Sequence, residues 1–245
     1  MKTLTFLSVF CLVSFNNAIK LPSTFIKCDT RKSDFDESLS EAIKNAIIQL
    51  DRPMEEYNLP SLEPFFVPFF FSKAGEKPAF ESKFKNYRIF GHTKITDLKA
   101  TMNFEDKTLT ITITNPEIRY ELDYETKGVM FLMPIDTSGS ALVNARNVTF
   151  TFTFTFEEYT KDGENHLLVV DTKLEMAPQS MSAHFENLLR DKDLNDAFSR
   201  EMSLNWKISF GYFAPIYLDS YGQRCGNIFN TFLEKVPVAE IFDGL

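Results

Sequence analysis

Residues that could carry out chemistry are sparse in this chain of 245 residues. The histidines, His92, His166 and His184, lie far apart, outside any H-E-x-x-H motif or Cys/His cluster, and so predict no zinc site. There is no G-x-S-x-G turn, and the nine glycines form neither a phosphate loop nor a dinucleotide motif. Asp191–Asp196 begins like a calcium loop but lacks its glycine, which favours a solvated helix start. We therefore expect a binding protein that is not an enzyme and uses no metal or cofactor.

The strongest structural signal in the sequence is the alternation of apolar side chains with a period of two, which is typical of β-strands with one buried face. Thr149–Phe156 reads TFTFTFTF, so a strand there places four phenylalanines on one face and four threonines on the other. Leaving those four rings in water would forfeit on the order of 6–12 kcal/mol. A second strand alternates in the same way with threonine. The expected apolar wall consists of Phe150, Phe152, Phe154, Phe156, Leu109, Ile111, Ile113, Val129 and Phe131.

The elements that must position this wall follow from local patterns. An amphipathic helix begins after Ser33 or Asp34 and ends before Pro53. The prolines around Phe65–Phe71 rule out a regular central strand there. From about residue 80 to 181 the chain predicts a meander of long antiparallel strands, followed by helices, which suggests a large curved sheet. The expected strands are 108–114, which ends at Asn115-Pro116, then 118–124, 129–135, 141–159 and 166–176, and after Pro178 a short strand at 181–185. The expected helices are 191–210 and 212–236.

The N-terminal sequence predicts that the protein is secreted. Lys2, the short apolar run Leu4–Phe15 and the small residue Ala18 are typical of a secretory signal peptide at 1–18, which leaves a single domain at 19–245. No later stretch is long and apolar enough to span a membrane. The net charge of −8 argues against nucleic acid as a partner. Asn147 begins an N-x-T acceptor for glycosylation.

Short motifs occur in a fixed order along the chain. Cys28 follows a Leu-Pro lead and precedes the amphipathic helix, and L-P-S-L-E-P at 59–64 comes before N-Y-R-I-F-G at 86–91. The series continues with Tyr124, Gly128, Gly139, N-L-L at 187–189, L-N-W at 204–206, V-P at 236–237 and Phe242. Together they resemble the takeout and haemolymph juvenile-hormone-binding protein family of insects, over essentially the whole of residues 19–245.

The resemblance implies an α+β fold in which a strongly curved antiparallel β-sheet wraps around a long C-terminal helix and encloses an elongated apolar tunnel. Members of that family carry hydrophobic ligands such as juvenile hormone, other terpenoids or fatty acyl compounds. Ser38 lies where the family has the partner of its first cysteine, so the usual N-terminal disulfide cannot form. Cys28 and Cys225 then either bond to each other or remain separate thiols.

Two functional hypotheses follow. The first is a secreted carrier of a hydrophobic small molecule in extracellular fluid, with the wall described above and Phe65, Phe66 and Phe69 as a mouth or lid. Tyr87, Tyr120 and Tyr124 are candidate hydroxyl anchors for the ligand. The second is a secreted protein of the same fold whose interior is filled and which acts through a protein partner such as a receptor.

Overall fold

The computed structural model describes residues 19–73, 79–130 and 132–245. The expected signal peptide at 1–18 and the wall residue Phe131 lie outside these ranges. The elements in chain order are β1 (Cys28–Asp29), α1 (Phe35–Gln49), a short 3-10 helix (Glu55–Tyr57), β2 (Phe65–Ser72), β3 (Phe80–Phe90), β4 (Asp97–Asn103), β5 (Thr108–Met130), β6 (Met133–Lys161), β7 (Glu164–Phe185), α2 (Lys192–Leu204), α3 (Trp206–Leu233), α4 (Val238–Ile241) and β8 (Phe242–Asp243).

The main sheet has six strands in the order β2-β3-β5-β6-β7, and β4 pairs with the first part of β5. Every pairing in this sheet is antiparallel. β6 alone is 29 residues long, so the sheet is built from a few very long strands joined by tight hairpins. β1 and β8 form a separate parallel pair, which brings Cys28–Asp29 next to Phe242–Asp243.

β5 continues through Pro116, so the expected strand end at Asn115 was wrong. The β5–β6 pairing passes from Asn115 and Val148 to Glu117 and Arg146, and so leaves out Pro116 and its opposite residue. On the other side of β5, pairing with β4 stops at Thr114 and pairing with β3 starts at Arg119. The missing N–H of the proline therefore costs no ladder hydrogen bond.

This irregularity changes which residues of β5 face inward. Before it, the odd positions 109 to 115 are buried, and after it the even positions 118, 120 and 124 are buried. In β6 the inward-facing positions shift by one residue at Asn147, which adopts a φ of 44°. Both strands therefore keep one apolar face toward the interior along their whole length.

Two further strand boundaries differ from expectation. The predicted strand 129–135 is the tip of the β5–β6 hairpin, where Val129 pairs with Pro134. The predicted strands 166–176 and 181–185 are one strand, because β7 runs through Pro178 without a break. Pro178 is tolerated because β7 is an edge strand of the sheet and needs hydrogen bonds on one side only.

The boundary between the two long helices lies at Asn205, whereas the sequence predicted it near residue 211. The Asp191 carboxylate caps α2 by accepting a 2.9 Å hydrogen bond from the Leu194 N–H, as the solvated helix start predicts. α2 ends at Leu204, whose side chain is exposed, and α3 begins at Trp206. α3 then extends for 28 residues and contains Pro215.

α3 contacts both edges of the main sheet. The Asn230 amide donates to the Val169 carbonyl (2.9 Å) and accepts from the Val169 N–H (2.7 Å) of β7. Six residues earlier, the Arg224 guanidinium donates to the Phe69 carbonyl of β2 at 3.2 Å. Because β2 and β7 are opposite edges, a helix that contacts both requires a strongly curved sheet wrapped around it. The predicted fold class is confirmed.

No helix in the described part of the chain combines the length and the apolar character needed to cross a membrane.

Candidate ligand-binding site

A cavity of about 270 Å³ lies between the inner face of the sheet, α1 and the C-terminal half of α3. We call it the larger cavity. Four phenylalanines of β6 and three aliphatic residues of β5 form its sheet wall, as the alternation predicts; these are Phe150, Phe152, Phe154, Phe156, Leu109, Ile111 and Ile113. The rings of Phe152 and Phe154 are stacked, with centroids 5.7 Å apart.

Helix side chains complete the larger cavity. α1 presents the apolar stripe that its periodicity predicts, in which Ala42 and Ala46 are small and leave space. From α3 come Tyr221, Cys225 and Phe229, which the sequence did not identify as wall residues. They lie four residues apart and so share one face of the helix. That spacing was visible in the sequence.

A second cavity of about 160 Å³, the smaller cavity, lies at the other end of α3. β3, β5, β7, α2 and the first half of α3 form its wall. The three predicted tyrosine anchors, Tyr87, Tyr120 and Tyr124, line this cavity and not the larger one. Further wall residues that the sequence did not identify are Phe70, Phe80, Phe84, Met130, Phe213, Ala214 and Tyr217.

Aromatic rings lie between the two cavities, and none of the described residues lines both of them. Tyr217 lines the smaller cavity and Tyr221 lines the larger one, and their rings stack with centroids 5.0 Å apart. Tyr120 packs edge-on against Tyr217, and His92 stacks on Tyr221. We call these residues, with Tyr87, the aromatic partition. The described residues thus form two apolar chambers along α3, and the single elongated tunnel that joins them stays a prediction.

The polar groups at the partition end of the larger cavity are uncharged. The Tyr221 hydroxyl shares a 2.7 Å hydrogen bond with Nε2 of His92. Burial lowers the pKa of His92 to about 4, and burial raises the pKa of Cys225 to about 12. Burial also raises the pKa of Tyr221 well above its ordinary value. At neutral pH this end therefore offers dipoles and no ion.

Asn115 continues the inward row of β5 into the same end of the cavity. Its amide nitrogen lies within hydrogen-bond distance of the carbonyl oxygens of Gly91 (2.8 Å), Lys94 (3.2 Å) and His92 (3.3 Å). The side chain is 1% exposed, and its Oδ1 atom has no hydrogen-bond partner in the part of the chain that the structure describes. A buried acceptor without a donor is unusual in a folded protein.

The tyrosine hydroxyls of the smaller cavity differ in their partners. Tyr124 donates a 2.6 Å hydrogen bond to the Glu186 carbonyl, so its hydroxyl is committed to the backbone. Tyr120 donates to the Met176 sulfur at 3.7 Å. The Tyr217 hydroxyl lies beside Tyr120 and is buried, but it makes no hydrogen bond of ordinary geometry. Of the three hydroxyls, it has the weakest hydrogen bonding.

Several predicted wall and lid residues do not face a cavity. Val129 is 42% exposed, because the phase change at Pro116 turns the odd residues of β5 outward. Phe66 and Phe69 are exposed on the outer face of β2. Phe65 is buried, but it packs behind the cavity on Tyr221 and His92. β2 instead directs Phe70 inward, to the smaller cavity.

Cys28 and Cys225 are both free thiols, and both line the larger cavity. The structure therefore has the second of the two alternatives left open by the sequence. Asn147 is exposed at the phase change of β6, where its amide donates to the Gln179 side chain. Its glycosylation stays a prediction.

Two of the sequence motifs have a direct structural role. The Glu63 carboxylate accepts hydrogen bonds from the Gly91 N–H at 2.9 and 3.0 Å, which joins the motif at 59–64 to the one at 86–91. At Gly139 a Cβ atom would lie 1.9 Å from the Glu186 carbonyl oxygen, the same oxygen that Tyr124 binds. Only glycine lets the two backbones approach so closely.

Among residues 19–73, 79–130 and 132–245, no three His, Cys, Asp or Glu side chains come together as metal ligands would.

Comparison with known proteins agrees with this architecture. A sequence model of the family described as haemolymph juvenile hormone binding protein matches residues 5–243. The circadian clock-controlled protein daywake of Drosophila melanogaster is 22% identical over 219 residues, which are 84% of this chain and 81% of that protein. The crystal structure of Takeout 1 from Epiphyas postvittana superposes with a TM-score of 0.77 at 16% identity, covering 89% of this chain and 99% of that one.

Proposed function

Because the chain belongs to the haemolymph juvenile hormone binding protein family, we propose that it is a secreted carrier that holds a hydrophobic small molecule in its interior. The ligand class comprises elongated apolar molecules such as terpenoids and fatty acyl compounds. Binding results from burial of the ligand's apolar surface, which is worth about 25 cal/mol per Å² removed from water.

The observation that carries this proposal is the larger cavity itself. It is lined by phenylalanine, leucine and isoleucine side chains from β5, β6, α1 and α3, and none of the described residues in its wall carries a charge. An empty apolar cavity of this size is a cost to folding, because the wall atoms lose packing contacts. A ligand that fills the cavity recovers those contacts. This favours the carrier over the alternative of a filled interior that acts through a protein partner.

Uptake of a fluorescent apolar dye, N-phenyl-1-naphthylamine, tests the proposal. Phe152→Asp places a carboxylate in the wall of the larger cavity, and it should reduce the dye affinity at least tenfold. Thr153→Asp changes the next residue of the same strand, on the opposite face, and should leave the affinity unchanged. Equal uptake by both variants would contradict the proposal.

Ala46→Trp is a second variant, which fills the larger cavity without burying a charge. We expect it to abolish most dye uptake while keeping the protein folded, as judged by circular dichroism. Glu41→Trp, at an exposed position of the same helix, is the matched control and should bind dye as the wild type does. Full dye binding by Ala46→Trp would count against the larger cavity as the binding site.

A further inference from the structure

The polar end of the larger cavity contains one buried acceptor that the protein leaves unmatched. Asn115 is held in a single orientation, because its amide nitrogen faces three backbone carbonyl oxygens of the loop after β3. A flipped amide would place its oxygen against those three oxygens. Oδ1 is therefore fixed on the other side of the amide group, buried and without a partner.

The neighbouring polar groups do not satisfy this oxygen. His92 and Tyr221 hydrogen-bond to each other at 2.7 Å. The Cys225 thiol lies beside the Tyr221 hydroxyl. Apart from the Cys28 thiol, the other described side chains of the wall are apolar. Leaving a buried acceptor unpaired costs a substantial part of its desolvation penalty, so a donor that arrives with the ligand recovers that free energy.

We propose that the larger cavity recognises uncharged ligands that end in a hydroxyl group, and that Asn115 accepts the hydrogen bond of this hydroxyl. The inference rests on the proposed carrier function and specifies the ligand class of that site. The apolar body of the ligand lies along the phenylalanines of β6, and its hydroxyl lies at the aromatic partition. Asn115 is thus a specificity-determining residue.

The same geometry disfavours a carboxylate. The described wall of the larger cavity contains no lysine or arginine, so an ionised head group would be desolvated there without a cationic partner. Its oxygens would also face Oδ1 of Asn115, an acceptor, and they bring no proton to it. An ether or an ester has the same defect without the charge, because it too lacks a donor.

Isothermal titration of the purified protein with three dodecyl compounds tests this inference. Dodecanol should bind about tenfold more tightly than dodecyl methyl ether, since one extra hydrogen bond to a buried acceptor is gained. Dodecanoate at pH 8 should bind at least about a hundredfold more weakly than dodecanol. Equal affinities for the alcohol and the ether overturn the inference and leave the carrier function intact. Failure of all three compounds to bind overturns both.

Variants assign the effect to a residue. Asn115→Leu should abolish the preference for alcohol over ether. Tyr221→Phe keeps the ring and removes the competing hydroxyl, and it should preserve the preference. Loss of the preference in Tyr221→Phe would assign recognition to the His92–Tyr221 pair and overturn the role of Asn115. Ala214→Trp, which fills the smaller cavity, should also preserve the preference, and its loss in this variant would place the hydroxyl in the smaller cavity and overturn the role of Asn115. The comparison of alcohol and ether on the wild type stays decisive even where Asn115→Leu fails to fold.

Discussion

Tyr217, Tyr124 and His92 are buried polar side chains that differ in what the protein provides for them. The Tyr124 hydroxyl has a carbonyl partner, whereas the Tyr217 hydroxyl has only the neighbouring Tyr120 hydroxyl and no hydrogen bond of ordinary geometry. His92 has the Tyr221 hydroxyl, and burial keeps its ring neutral. Unpaired buried groups lower stability and paired ones raise it, so the three residues give different expected outcomes when changed.

Tyr217→Phe should raise the free energy of unfolding by about 1–2 kcal/mol, because it removes a buried hydroxyl without a partner and leaves the ring packing in place. Tyr124→Phe should lower it by about 1 kcal/mol or more, because the Glu186 carbonyl loses its donor. Urea unfolding monitored by circular dichroism measures both. A loss of stability in Tyr217→Phe as large as that in Tyr124→Phe would show that the Tyr217 hydroxyl is satisfied.

His92 should make stability depend on pH. Its folded-state pKa of about 4 lies below the unfolded value near 6.5, so the unfolded chain binds a proton that the native state excludes. The contribution of neutral His92 to the free energy of unfolding is fully present above about pH 6.5 and is lost as the pH falls from about 6.5 toward 4. The loss amounts to roughly 3 kcal/mol.

The matched variants for this prediction are His92→Gln and Tyr221→Phe. His92→Gln should reduce the slope of unfolding free energy against pH between 6.5 and 4 by about one proton. Tyr221→Phe should keep the slope, because burial and not the hydrogen bond lowers the pKa of His92. An unchanged slope in His92→Gln would mean that this ring titrates normally in the folded protein.

At the scale of elements, side chains of the helices cover the open edge of β7. Asn230 makes two hydrogen bonds to the backbone of Val169, and Ser203 makes two to the backbone of Ala183. These side chains complete the hydrogen bonding of an edge strand that lacks a neighbour. They also hold α2 and α3 against the sheet, which fixes the helical wall of both cavities.

Asn230→Ala should destabilise the protein by about 1–3 kcal/mol, because one backbone donor and one acceptor of β7 lose their partners. Asn227→Ala, at an exposed position of the same helix, should change the stability by less than about 0.5 kcal/mol. Thermal unfolding of the two variants side by side measures the difference. Similar small effects in both would show that α3 does not depend on this contact.

The elements also show how far sequence patterns could determine the structure. Strict alternation located the inner faces of β5 and β6, because a buried strand face must be apolar. The pattern failed at Pro116 and Pro178, where proline was interpreted as a strand end. Both prolines lie where no neighbouring strand needs their N–H, and that depends on which strands are adjacent. Local sequence does not specify strand order.

Asn115 is the clearest case of a signal that was present and misinterpreted. It falls in phase with Leu109, Ile111 and Ile113, so alternation alone places it on the inner face. Its position before Pro116 made it a turn residue in the sequence-based interpretation. The smaller cavity was missed for another reason. Its wall combines residues from β3, β7 and α3 that come together only when the sheet curves around the helix.

For the whole molecule, the central claim is that the curved sheet and α3 enclose apolar space that a guest occupies. Two chambers on either side of the aromatic partition provide this space, at about 270 and 160 Å³. The phenylalanines of β6 line the larger one. Small helix residues leave space in each chamber, Ala46 of α1 in the larger one and Ala214 of α3 in the smaller one.

Native mass spectrometry of protein purified from a eukaryotic secretion host tests this claim most directly. The wild type should carry a non-covalent small-molecule adduct that organic extraction removes, and dodecanol added to the extracted protein should restore an adduct. The double variant Ala46→Trp/Ala214→Trp should fold and carry none. A wild type that purifies without any adduct and takes up no added apolar compound would contradict the account.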